Sequence, residues 1–285
     1  MKIDVEYCFF IRKFFTLGLI LVATGYDEDD YDYNSFDYDN YVYHSAASND
    51  CEVIDIQDPE RNCSNIPSYP ISIWTGSGGI VSGIPMICGG ELYDVGFEGR
   101  KMSDVCYAFN VKTNSWTLVA NLVGQRSDFA SASIKDALWI TGGKVRTSVD
   151  EVIESEDAST EFVHVNGSVS PGPNLPSARD HHCMVTLHNN QIMILGSDGG
   201  TTDAKNVVIY NPETGNFQPA PSMLYDRNGA GCTLFYSPLH DNRPVVIVAG
   251  GRDVSAAEIL DYTYANSWEE SKSCYIPTQT YVHLQ

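Results

Sequence analysis

Positive charge is scarce in this chain of 285 residues: 17 lysines and arginines stand against 37 aspartates and glutamates, a formal net charge of −20. A surface this acidic repels nucleic acid and anionic membrane, so neither is an expected partner. Long apolar runs are lacking as well. The run from Phe14 to Val22 is too short to cross a bilayer as a helix, and no later stretch is long and apolar enough to do so. Metal-ligand spacings are missing: there is no Cys-x-x-Cys and no Cys/His pattern that reads as zinc, so no metal is expected. No serine or cysteine stands with a base and an orienting acid in a pattern that marks a catalytic centre, so no catalytic residue and no cofactor are expected. The one histidine pair, His181-His182, falls at the start of a strand, where alternation turns the two rings to opposite sides.

What the chain does have is a repeat. Four times an apolar strand runs into small residues: Met86-Ile87-Cys88-Gly89-Gly90, Leu138-Trp139-Ile140-Thr141-Gly142-Gly143, Ile192-Met193-Ile194-Leu195-Gly196-Ser197 and Val245-Val246-Ile247-Val248-Ala249-Gly250-Gly251. The first glycines are 53, 54 and 54 residues apart. A fixed period near fifty, filled with strand-forming residues, marks a unit that buries its faces only by stacking on copies of itself. The third period shows the order best. Arg179 is followed by Cys183 to Leu187, a His188-Asn189-Asn190 turn, Ile192 to Leu195 and Val207 to Tyr210. The turn Asn211-Pro212-Glu213-Thr214-Gly215 and Phe217 complete it. These are four short β-branched runs between turn formers, hence four antiparallel strands. The third strands of the other periods are expected at Asp104 to Tyr107, Glu151-Val152-Ile153-Glu154 and Glu258-Ile259-Leu260-Asp261. Trp116, Phe162 and Trp268 are expected to mark the fourth.

Arginine, inner strand, apolar strand, diglycine, a further strand, a turn and then an aromatic resembles the kelch repeat, over roughly residues 51–268. The resemblance implies an all-β, kelch-like β-propeller with four four-stranded blades, at 72–119, 126–171, 179–221 and 227–268. Residues 51–66 read as the last two strands of a further half blade, and 269–285 as a tail or a cut-off blade. Closure of the ring stays open. A β-sandwich is the alternative architecture, although sandwiches do not repeat at a fixed period. Kelch-like propellers also occur in secreted copper radical oxidases. The chain matches none of the motifs around their copper ligands, so that activity is the alternative to non-enzymatic binding.

The N-terminal segment points outside the cell. Arg12-Lys13, the apolar run and Ala23-Thr24-Gly25 have the layout of a signal peptide over residues 1–25, with a membrane anchor as the competing reading. Residues 26–50 hold eight acids and no lysine or arginine, which reads as a disordered segment. Its acid-flanked tyrosines, Tyr26, Tyr31, Tyr33 and Tyr38, are sulfation candidates. In an oxidising compartment Cys51–Cys63 and Cys88–Cys106 are candidate disulfides, each across neighbouring strands. Cys183 and Cys232 fall on first strands of neighbouring blades, where buried thiols are one reading and their connectivity stays open. Asn62-Cys63-Ser64 and Asn166-Gly167-Ser168 are N-glycosylation sequons.

Recognition of an extracellular protein or ligand is expected on the loops between second and third strands. The longest, Glu91 to Ser103, carries Tyr93, Phe97, Arg100 and Lys101, residue types that anchor interfaces. Arg126, Arg179 and Arg227 recur at one point of the period. They read either as ties from blade to blade through backbone oxygens or as a basic collar that takes an anionic ligand.

Overall fold

The computed structural model describes residues 10–14, 19–27, 46–55, 66–92, 101–146, 155–198, 204–252, 254–264 and 267–271. The protein is all-β. Among the described residues the helical content is one 3₁₀ turn, Pro238–His240, and no helix is long and apolar enough to cross a membrane.

Four antiparallel sheets of four strands each follow one another along the chain. Sheet I holds Ser77–Val81, Ile84–Cys88, Val105–Asn110 and Ser115–Asn121. Sheet II holds Ala130–Ile134, Ala137–Thr141, Thr160–His164 and Val169–Pro171. Sheet III holds Cys183–Thr186, Ile192–Leu195, Val207–Asn211 and Asn216–Ala220. Sheet IV holds Gly231–Ser237, Arg243–Ala249, Ala257–Leu260 and Glu269–Glu270. In each, chain order equals strand order, so successive strands of a sheet are antiparallel neighbours. The first strands of successive sheets pack side by side, I on II, II on III and III on IV.

Apolar residues alternate along these strands, and each face meets the next sheet. Met86, Leu138, Ile140 and Val163 fill the space between sheets I and II. Ala132, Trp139, Ile194 and Tyr210 fill that between II and III. Val185, Leu195, Val246, Val248 and Leu260 do so between III and IV. The second strands Ala137–Thr141 and Ile192–Leu195 are buried throughout, because both of their faces are covered. Tryptophans fasten the connectors: the Trp116 Nε1–H donates to the Pro67 carbonyl (3.0 Å) and that of Trp268 to Pro221 (2.8 Å).

Several expectations need correction. The third strand of sheet II is Thr160–His164 and not 151–154, which lie outside the described residues, so Phe162 stands on the third strand and not the fourth. The β-branched Val152-Ile153 pair misled the reading. The connection forms a hairpin of its own, Lys144–Arg146 with Ser155–Glu156, before the sheet resumes. Cys183 and Cys232 are joined in a disulfide between the first strands of sheets III and IV, their Cα atoms 6.1 Å apart. Cys88–Cys106 is the second bridge, across neighbouring strands of sheet I.

The N-terminal segment carries strands of its own. In the uncut chain Phe10–Phe14, Leu19–Asp27 and Ala46–Asp55 form a three-stranded antiparallel sheet, whose first strand packs on Ser77–Val81. The end of the apolar run expected as a leader, Leu19 to Val22, thus pairs its backbone with Glu52 to Asp55 at the start of the expected half blade. Tyr26 and residues 46–50, placed in the disordered segment, belong to this sheet.

Candidate functional site

In each sheet the start of the first strand lies against the end of the second: Ala130 opposite Thr141, Cys183 opposite Leu195, Gly231 opposite Ala249. The connector entering a sheet and the loop leaving its second strand therefore emerge at one edge. Two of these loops carry small sheets of their own. Ile73–Trp74 pairs with Glu91–Leu92, which pairs with Lys101–Met102. Gln125–Ser127 pairs with Lys144–Arg146 in the same way.

At this edge the repeat arginines are buried, with Arg126 2% exposed and Arg179 and Arg227 fully enclosed. They form no collar. Each guanidinium donates to carbonyls of its own sheet: Arg179 to Gly196 (3.3 Å) and Asn206 (3.5 Å), Arg227 to Gly250 and Ala256 (both 2.7 Å), Arg126 to Gly142 and Ser159. The arginine's own carbonyl reaches the preceding sheet, accepting from Gly90, Gly143 and Ser197 at 2.8, 2.8 and 3.0 Å. That contact explains the glycines. A Cβ on Gly89, Gly142 or Gly196 would lie 2.6, 2.4 or 2.5 Å from the carbonyl oxygen of the next repeat's arginine. Glu161 and Glu258 complete two of the sites, pairing with Arg126 at 3.1 Å and Arg227 at 2.8 Å. The same carboxylates accept the backbone N–H of Val123 and Leu224, three residues before each arginine.

Two residues past each arginine the backbone turns left-handed. Asp128 (φ 55°), His181 (50°) and Gly229 (70°) hold this position, and Thr75 (53°) holds it in the first repeat. Each donates its N–H to the carbonyl of its predecessor: Asp128 to Thr75 (3.1 Å), His181 to Asp128 (2.8 Å), Gly229 to His181 (2.9 Å). A file of backbone hydrogen bonds thus runs across all four repeats. Three of its members are not glycine and are held there against their own preference.

Side chains gather around this file where repeats two and three meet. His181 lies between two buried carboxylates, its Nε2 3.2 Å from Asp128 Oδ1 and its Nδ1 3.1 Å from Asp180 Oδ2. The Lys144 ammonium is 3.3 Å from Asp128 and 3.6 Å from Asp180. Ser127 Oγ lies within reach of Asp128 (3.2 Å) and of the buried Glu91 (3.4 Å). Burial works against the charge on Lys144, but Asp128, Asp180 and Glu91 outweigh it and hold the ammonium above its ordinary pKa. Burial likewise opposes a proton on His181, and Asp180 and Asp128 overcome it, so its pKa is raised. Asp180 is pushed up by burial and brought below its usual range by His181 and Lys144. His182, the next residue and the last before the strand, differs: burial, then the charge of Arg179, drives its pKa well below the ordinary value. Its Nε2 is 2.8 Å from the Thr141 hydroxyl.

Of the residues singled out in the sequence, Lys101 is half-buried in the small sheet of the first loop, while Tyr93, Phe97 and Arg100 lie outside the described residues. So do Cys63, Asn62, Tyr31, Tyr33 and Tyr38. Cys51 sits on the third N-terminal strand with its Sγ 3.9 Å from the Asn49 carbonyl. Asn166 is exposed in a turn, its Oδ1 accepting from the Ser168 N–H (2.9 Å) and hydroxyl (2.8 Å). The group around His181 was missed. The signal lay in register: Ser127-Asp128, Asp180-His181 and Asn228-Gly229 follow the three repeat arginines at equal distance.

No family model matches the chain. Over 128 residues it is 30% identical to the spermatocyte protein spe-26 of Caenorhabditis elegans, a stretch that is 44% of this chain and 21% of that protein. The match thus spans about a fifth of that relative's length. The solved structure of YjhT superposes with a TM-score of 0.64 over 88% of this chain and 74% of that one, at 11% identity. At that identity the likeness concerns the fold alone.

Proposed function

We propose that the chain is a kelch-like β-propeller acting outside the cell as a non-enzymatic binding module, with its recognition surface on the edge that carries the small loop sheets. The observation that carries this reading is the convergence at that edge. Loops and connectors of all four repeats emerge there over one file of backbone hydrogen bonds. Such an arrangement holds variable loops on a rigid base, the usual way in which repeat proteins build binding surfaces. Support for the propeller itself comes from four sheets of equal strand order, packed through their first strands and bonded by one recurrent arginine–glycine contact. The two disulfides fit an oxidising compartment.

A pull-down from extracellular fluid with the unaltered chain and with a Phe97→Ala/Arg100→Ala chain tests the reading. At equal melting temperature, the altered chain should lose at least tenfold in affinity for the captured partner. Unchanged affinity removes the first loop as the site. Sequencing the N-terminus of secreted material decides between a leader that is cut near Gly25 and an N-terminal sheet that stays.

A further inference from the structure

We propose that Asp128, Asp180 and His181 bind one divalent metal ion of the zinc or manganese class at the junction of the second and third repeats. The site lies at the same edge as the loop surface proposed above, but its test does not depend on that surface. Each of the three offers a ligand atom, and these atoms lie within 4.8 Å of one another. His181 meets Asp128 Oδ1 through Nε2 (3.2 Å) and Asp180 Oδ2 through Nδ1 (3.1 Å), so whichever nitrogen turns to the ion has a carboxylate oxygen near the separation of two ligands held at about 2.1 Å. An imidazole with carboxylates suits zinc or manganese better than calcium. A second feature points the same way: Asp180 is fully buried, and its Oδ1 has no hydrogen-bond partner. A carboxylate oxygen without a partner is costly inside a protein, and a cation relieves it.

Charge supports the assignment. Asp128 and Asp180 share the Lys144 ammonium, at 3.3 and 3.6 Å, and so already gather positive charge at this point. Lys144 itself lies between the two aspartates and competes for them; its side chain is 22% exposed and has solvent to retreat into. The fixed left-handed backbone at Asp128 and His181, joined by their 2.8 Å hydrogen bond, holds the ligands at a set distance before any ion arrives.

The test is titration calorimetry of Zn²⁺ into the full, oxidised chain, with Co²⁺ absorption as a reporter of coordination. One equivalent should bind. Asp128→Asn and His181→Gln should each weaken binding at least tenfold and abolish the cobalt bands. Lys144→Met, which removes the competitor and leaves the ligands in place, should bind at least tenfold more tightly. Should Lys144→Met bind no better than the unaltered chain, or should Asp128→Asn and His181→Gln keep full affinity, the assignment is overturned. The lysine variant keeps the test decisive even if a ligand variant fails to fold.

Discussion

Sheets II and IV solve one problem differently from sheet III. All three bury an arginine that bridges the ends of their second and third strands. In sheets II and IV a glutamate of the third strand neutralises it, whereas in sheet III the corresponding place is held by the buried Val208. Arg179 has the Asn206 amide oxygen (2.9 Å) and backbone carbonyls instead, and burial brings its pKa down to about 10. The difference teaches that the constant element of the repeat is the planar fork that gathers carbonyls. The ion pair is an addition. Sheet III is also the sheet with a covalent tie to its neighbour and the one whose connector carries the Asp180–His181–His182 group.

The largest effect should come from removing the arginine where a glutamate stays behind. Arg227→Met leaves Glu258 buried and should cost about 3–5 kcal/mol in urea unfolding. Arg179→Met strands only neutral acceptors and should cost about 1–3 kcal/mol. Equal costs would erase the distinction between the sheets. Next comes the disulfide. Cys183→Ser/Cys232→Ser opens a loop of 49 residues and should cost about 2–4 kcal/mol, seen as a lower urea midpoint.

A smaller effect sharpens the comparison from the other side. Val208→Glu gives sheet III the carboxylate that its neighbours possess. In a double-mutant cycle with Arg179→Met the coupling should be about 2 kcal/mol, favourable only while the arginine is present. A coupling near zero would mean that Val208 is not the counterpart of Glu258. The smallest effect is one of pH. His182 stays neutral in the fold, while in the unfolded chain it takes up a proton below about pH 6.5. The unfolded state then binds more protons, so stability should fall as pH drops through that value. His182→Gln should flatten that part of the profile of urea midpoint against pH; an unchanged slope assigns the loss to other groups.

Much of the architecture was readable in advance. The spacing of the first glycines and the recurrence of arginine marked a repeated four-stranded sheet, because both features are backbone requirements that leave a fixed mark in sequence. The third strand of sheet II was misplaced because the signal for a strand, Val152-Ile153, is local. The choice between two adjacent candidates depends on pairing with Ala137–Thr141, which is not. The group around His181 stayed hidden for a related reason. Asp128, Lys144 and Asp180 come from two repeats and meet only when those repeats pack, so no spacing within one segment announces them. The disulfide between Cys183 and Cys232 is the same case, two residues brought together by packing between sheets.

The arginine–glycine contact has a consequence for cooperativity. Its two halves belong to successive repeats: a glycine pair is a socket, and the carbonyl that fills it arrives with the following sheet. The unit that recurs in the sequence is therefore out of phase with the unit that becomes stable. A single repeat cut free would carry an open socket at one end and an unused plug at the other, with neither earning any stability. Damage in such a chain should spread by one step. Unfolding one sheet empties the socket of the sheet before it, so neighbouring sheets melt together more readily than their separate cores would suggest.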